Sequence, residues 1–122
     1  MIDTLVDMDR LINIPVSYHV GGQDIEVKMV EKTEDNKLGC VCVGDGIMKI
    51  AKMFNGLEQS ETSKLNTFNH ELVHTILDTM GRHDLSEDET FVCTFSGFLT
   101  ESIRSFKFET EMPALADNFK VE

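Results

Sequence analysis

Basic residues are scarce in this chain: 11 Lys and Arg stand against 22 Asp and Glu, leaving a formal net charge of −11. That balance repels phosphate backbones and acidic membrane surfaces, so neither nucleic acid nor membrane is expected as a partner. Long apolar runs are missing too, and none approaches the length of a membrane span. The opening Met1-Ile2-Asp3-Thr4-Leu5-Val6-Asp7 lacks the basic then apolar order of a secretion signal. Cysteine is limited to Cys40, Cys42 and Cys93, an odd number that makes no disulfide framework and fits a reducing compartment. These absences predict a cytoplasmic protein. Repeats and low-complexity segments are also lacking. What remains is 122 residues, 41% hydrophobic and 27% charged, enough for one domain around a single core.

Chemistry concentrates in His70-Glu71-Leu72-Val73-His74. On an α-helix, histidines four residues apart share a face one turn apart, with the carboxylate between them. A tetrahedral Zn²⁺ takes nitrogen ligands at about 2.0–2.1 Å, which such a pair supplies, and Glu71 lies within reach of a water on the same metal. Helical context comes from Leu65, Phe68, Leu72, Val73, Ile76, Leu77 and Met80, whose three-and-four spacing predicts a buried stripe. His70 and His74 fall at one border of that stripe and Glu71 further round, where a cleft can open. The plain alternative is a pair of partly exposed helix histidines with no metal.

Taken in order, residues 1–13 read as an N-terminal arm or short helix, stopped by Pro15. Ile14 to Val20 and Asp24 to Val30 alternate in polarity around Gly21-Gly22, which predicts a hairpin. Leu38 to Val43 and Ile47 to Ala51 flank Gly44-Asp45-Gly46 and predict a second one. Alternation puts Cys40 and Cys42 on one face of their strand, as small buried hydrophobes. Met53 to Gln59 reads as a connector, Ser60 as the N-cap of the motif helix, and Gly81 as its stop. Ser86-Glu87-Asp88-Glu89 opens a second helix whose apolar positions are Phe91, Val92, Phe95, Phe98, Leu99 and Phe106, ending near Phe108. Residues 109–122 read as a C-terminal tail.

This order predicts an α+β fold: a small antiparallel sheet from two hairpins, packed on two helices. Two histidines alone do not hold a catalytic zinc, so a third ligand has to come from the second helix or the connection before it. The candidates are His83, Asp84, Glu87, Asp88 and Glu89, with Asp78 on the motif helix less well placed. Asp88 points toward the centre of the second apolar face, and Glu87 and Glu89 lie at its borders. Ser86-x-x-Glu89 is also a capping box, in which Glu89 would fold back onto the Ser86 amide and be lost to a metal.

The Gly-Gly hairpin, the Leu38-Gly39 strand, His70-Glu71-x-x-His74 and the run Glu89-Thr90-Phe91-Val92-Cys93-Thr94-Phe95-Ser96 resemble the ImmA/IrrE-type zinc peptidases and the compact single-domain minigluzincins. The last run is similar to that family's E-x-x-A-N-x-F-A, which implies Glu89 as the third zinc ligand and Phe95 as a buried aromatic. Cys93 stands where the pattern carries Asn. The resemblance implies a zinc endopeptidase acting on a peptide or protein substrate, with His70, His74 and Glu89 on the metal. Glu71 then serves as general base toward a metal-activated water. Tyr18, His19 and His83 are the side chains available to stabilise an oxyanion, and an edge strand from Leu38 to Val43 offers pairing to an extended peptide. Two other readings stand beside it: a structural zinc site closed by a fourth ligand such as His83, and a metal-free interaction module. A DNA-associated metalloprotease of the SprT type, with His83 as ligand, fits poorly with the negative charge.

Overall fold

The computed structural model describes residues 14–109; the expected arm 1–13 and all but the first residue of the expected tail lie outside that range. Among the described residues the order is β1 (Ser17–Val20), β2 (Gln23–Val30), β3 (Gly39–Cys42), β4 (Ile47–Ala51), β5 (Met53–Phe54), β6 (Leu57–Glu58), α1 (Glu61–Thr79), α2 (His83–Ser86) and α3 (Glu89–Arg104). The fold is α+β, as the order of sequence patterns predicts.

Both hairpins form. Gly21 and Gly22 have φ of 59° and 80°, the double positive φ of a tight two-residue turn, and pair Val20 with Gln23 across it. A side chain at Gly21 would also strike Thr79 Cγ2 at 2.4 Å, so this turn packs directly on the last turn of α1. β3 and β4 are antiparallel, with Cys42 opposite Ile47. The four-stranded sheet has the order β1-β2-β4-β3, and β2 and β4 run parallel, so the sheet is mixed and not antiparallel throughout. Burial explains the difference. β4 hides Met48, Ile50 and Ala51 and takes the centre beside β2, while β3, built from Gly39, Cys40, Val41 and Cys42, is left at the edge.

One face of the sheet is covered. Ile25, Val27, Met48 and Ile50 pack against Leu65 and Phe68 of α1, and Asp24, Glu26 and Lys28 point the other way. Cys42 is exposed and Cys40 half-buried, against the expectation that both are buried hydrophobes, because the edge strand turns them away from the helices. The expected connector holds a further small hairpin, β5 with β6, around Asn55 and Gly56 at φ of 51° and 79°. An Asn-Gly pair is the strongest short-range signal for such a turn.

α1 begins where Ser60 predicts, its Oγ accepting the Ser63 amide at 3.1 Å. It ends in a Schellman arrangement: the Gly81 amide donates to Asp78 O at 3.1 Å and the Arg82 amide to Leu77 O at 2.8 Å, with Gly81 at φ 80°. Of the expected stripe, Leu65, Phe68, Val73 and Leu77 are buried, whereas Ile76 and Met80 are exposed. α3 departs further from expectation. It buries Val92, Ser96 and Thr100, leaves Phe95 and Phe98 outside, and ends at Arg104 with Ser105 as its cap, so the exposed Phe106 lies beyond it and the helix stops short of the expected end near Phe108. Phe95 is therefore not the buried aromatic that the resemblance implies. The reason is close approach: α1 and α3 meet through Val73, Leu77 and Val92, then through Asn69 Nδ2 donating to Thr100 Oγ1 at 2.9 Å and Thr100 Oγ1 donating to Asn66 Oδ1 at 3.0 Å. Small residues permit that contact, and phenylalanines would hold the helices apart.

Candidate metal centre

α1 carries His70, Glu71 and His74 into a cleft of about 590 Å³, whose walls also include Lys37 to Val41 of the edge strand and Glu89 and Cys93 of α3. The imidazoles meet edge to face, 4.9 Å between ring centres. Glu89 bridges them: Oε1 lies 3.3 Å from His70 Nε2, and Oε2 lies 3.4 Å from His74 Nε2. Two ligands at about 2.05 Å from a tetrahedral ion sit roughly 3.3 Å from each other. Each Glu89–histidine distance matches that spacing and the donor types suit zinc, but His74 is not among the residues whose ligand atoms all lie within 4.8 Å of one another.

Each histidine is held from behind. His74 Nδ1 lies 2.9 Å from the hydroxyl of Ser86, which is buried at 7% exposure, so the nitrogen that faces Glu89 is the opposite one, Nε2. His70 Nδ1 lies 3.9 Å from Cys93 Sγ. Such contacts fix ring orientation and tautomer around a metal. Burial and the neighbouring His74 push His70 below its ordinary pKa, partly countered by Glu89, which favours the neutral imidazole that a metal requires. A ligand atom of His70, a Glu89 oxygen and Cys93 Sγ also lie within 4.8 Å of one another, so Cys93 is a further donor in reach. Because the thiol approaches Nδ1 while Glu89 faces Nε2, one ion held at Nε2 leaves Cys93 behind the ring.

Glu71 is buried, at 9% exposure, under the edge strand. Burial pushes its carboxyl up to about 7, with repulsion from Glu89 adding and Lys37 opposing. Gly39 makes this possible: a Cβ there would sit 2.6 Å from Thr67 Cγ2, 3.1 Å from Lys49 O and 3.5 Å from Glu71 Cγ. The strand thus closes over the helix only because that position has no side chain.

The other sequence candidates go elsewhere. Asp88, expected to point into the apolar face, is the N-cap of α3, its Oδ1 accepting the Phe91 amide at 3.1 Å. Glu89 is thereby the first residue of that helix. The capping box does not form, since the Ser86 amide donates to Arg82 O at 3.1 Å and Glu89 turns to the histidines. Asp84 accepts from Arg82 at 3.1 and 2.9 Å, Glu87 ends α2 in solvent, and His83 Nδ1 lies 3.4 Å from Asp78 Oδ1. Asp78 itself lines the cleft beyond His74. None of the oxyanion candidates reaches the cleft wall. His19 sits 2.7 Å from Asp24 on the first hairpin. Tyr18 packs edge-on against Phe68 at 5.7 Å and hydrogen-bonds Thr75 Oγ1 at 3.0 Å. Sequence reasoning missed Ser86 as the support of His74, because its spacing to Glu89 mimics a cap.

No helix among the described residues is long and apolar enough to cross a membrane. In comparisons with known proteins, no family model, curated protein or solved structure matches this chain.

Proposed function

We propose that this chain is a zinc-dependent endopeptidase of the ImmA/IrrE or minigluzincin kind, with His70, His74 and Glu89 as the metal ligands and Glu71 as the general base. The observation that carries the reading is the Glu89 carboxylate lying across both Nε2 atoms at 3.3 and 3.4 Å, beside a buried Glu71. His70, His74 and Glu89 would hold the zinc, which would supply Lewis acidity to a scissile carbonyl and to a water. Glu71 would take the proton of that water and return it to the leaving amine. Among the described residues β3 pairs with β4 on one side only, and the segment Lys37 to Val41 lines the cleft, which gives an extended peptide a strand to lie against.

A second reading, a closed structural zinc, draws on Cys93 as a fourth donor near His70 and Glu89. Approach of the thiol to Nδ1, together with a buried carboxyl at Glu71 that a structural site does not need, favours the catalytic reading.

Elemental analysis of the purified chain, followed by assay on a mixed peptide library, tests the proposal. About one zinc per chain and cleavage abolished by chelation are expected. No metal uptake after incubation with zinc would overturn it, and zinc without cleavage of any peptide would favour the structural site.

A further inference from the structure

The cleft that holds the histidines carries opposite charges at its two ends. Thr67, Glu71, His74 and Asp78 recur at three- and four-residue intervals, so α1 turns them to the cleft as one stripe. Asp78 stands past His74 toward the C-terminal end of α1, half-buried, with its Oδ1 3.4 Å from His83 Nδ1. Lys37 is the one Lys or Arg lining the cleft among the described residues. Just before β3, its amide donates to Thr33 Oγ1 at 2.7 Å and its carbonyl accepts from the same hydroxyl at 2.9 Å. Thr33 is buried, so the backbone from which the lysine projects is held in place. Its charge is felt at Glu71, in the middle of the cleft.

The sheet decides which charge lies at which end. The turn between β3 and β4 sits beside the first hairpin turn, with Gly46 O accepting the Glu26 amide at 2.8 Å and Val43 O accepting from Gln23 Nε2. That first turn packs on Thr79 through Gly21, so this end of the sheet matches the C-terminal end of α1. The start of β3 lies over the other half of the helix, where a Cβ on Gly39 would meet Thr67. β3 and α1 therefore point the same way, with Lys37 at the Thr67 end of the cleft and Asp78 at the opposite end.

We propose that the cleft selects extended peptides by the order of their charges. Asp78 takes a basic side chain on the N-terminal side of the metal centre, and Lys37 an acidic one on the C-terminal side. The direction follows from antiparallel pairing with the free edge of β3, the more stable kind, which brings the start of the peptide to the Cys42 and Asp78 end. Asp78 lies about 9 Å along α1 from the midpoint of the two histidines, and Thr67 about 7.5 Å the other way. At about 3.4 Å per residue of strand, each selected side chain falls two or three residues from the metal centre. The other carboxylates of the cleft, Glu71 and Glu89, belong to that centre. Glu34 is engaged by Lys49 at 3.3 Å, and Asp35 lines the adjoining depression. Opposite charges at fixed ends reject the reversed order as well as favouring the matched one. The inference rests on the proposed function only for a peptide lying against β3, and it concerns binding, so it is tested without cleavage.

The probes are two end-capped, fluorescently labelled hexapeptides of identical composition, Arg-Ala-Leu-Leu-Ala-Glu and Glu-Ala-Leu-Leu-Ala-Arg. Their anisotropy is measured on the zinc-incubated Glu71→Gln chain, chosen so that neither is consumed. The first should bind about fivefold tighter, as two exposed ion pairs replace two repulsions, and the ratio should shrink at high salt. Lys37→Glu with Asp78→Lys should reverse the order, and Lys37→Gln or Asp78→Asn alone should each remove about half of the preference. Equal binding, no binding of either peptide, or a preference that the exchanged charges leave in place would overturn the proposal. Should the double variant fail to fold, an undiminished ratio in both neutral variants would overturn it instead. Zinc uptake and library cleavage blind to charge order would sink this inference alone. Charge-ordered binding without cleavage of any peptide would uphold it and sink the peptidase.

Discussion

The buried hydroxyl of Ser86 lies 2.9 Å from Nδ1 of His74, twelve residues earlier on a different helix. The short α2 brings that hydroxyl to the ring and leaves Nε2 aimed at Glu89. Loss of such a support typically costs about 10–100-fold in metal affinity. Ser86→Ala should therefore keep the fold and weaken zinc binding by roughly that factor, read by competition with a chromogenic chelator. Unchanged affinity would remove Ser86 from the site.

Ligand assignment separates by the same measurement. His70→Ala, His74→Ala and Glu89→Ala should each strip or greatly weaken zinc, whereas Glu87→Ala and His83→Ala should retain it, because neither of those residues lines the cleft. Full zinc in the Glu89 variant would move the third ligand, with Cys93 the next donor in reach.

Glu71→Gln should hold zinc and lose peptide cleavage by about 10²–10⁴-fold, the usual contribution of a positioned base. Turnover close to that of the parent protein would rule out the proton-transfer role.

Glu71 also makes the metal-free protein pH-sensitive. Its folded pKa of about 7 lies above the ordinary 4.5, so folding favours the protonated carboxyl. That contribution is fully present below pH 4.5, falls away as pH rises through about 7, and amounts to on the order of 3 kcal/mol. Urea denaturation of chelated protein at pH 5 and pH 8 should show the loss, and Glu71→Gln should abolish much of it. An equal loss in the Gln variant would trace the effect to other groups.

Gly39 supplies a steric prediction, since a Cβ there meets Thr67 Cγ2 at 2.6 Å and Lys49 O at 3.1 Å. Gly39→Ala should cost about 1–3 kcal/mol, the usual range for overpacking. Thr67→Ala should recover part of it by removing the methyl. Thermal melts of the single and double variants show whether the two positions are coupled.

The local elements were legible in the sequence because their signals are local. Ser60 and Gly81 bracket α1, Gly21-Gly22 sets the first hairpin, and the spacing of His70, Glu71 and His74 follows once α1 is a helix. Nearness of Glu89 to those histidines was an expectation of spacing and resemblance, and its geometry appears only when α3 packs on α1. Which strand lies beside which was not legible: β4 pairs parallel to β2 because its apolar residues claim the centre of the sheet, a competition among all four strands. Nor was the face of α3 that is buried, since hydrophobicity favours Phe95 and Phe98 while the close α1 contact admits only Val92, Ser96 and Thr100. Periodicity reports which residues share a face. Packing distance decides which face goes inside, and that depends on the partner helix as much as on the chain's own pattern.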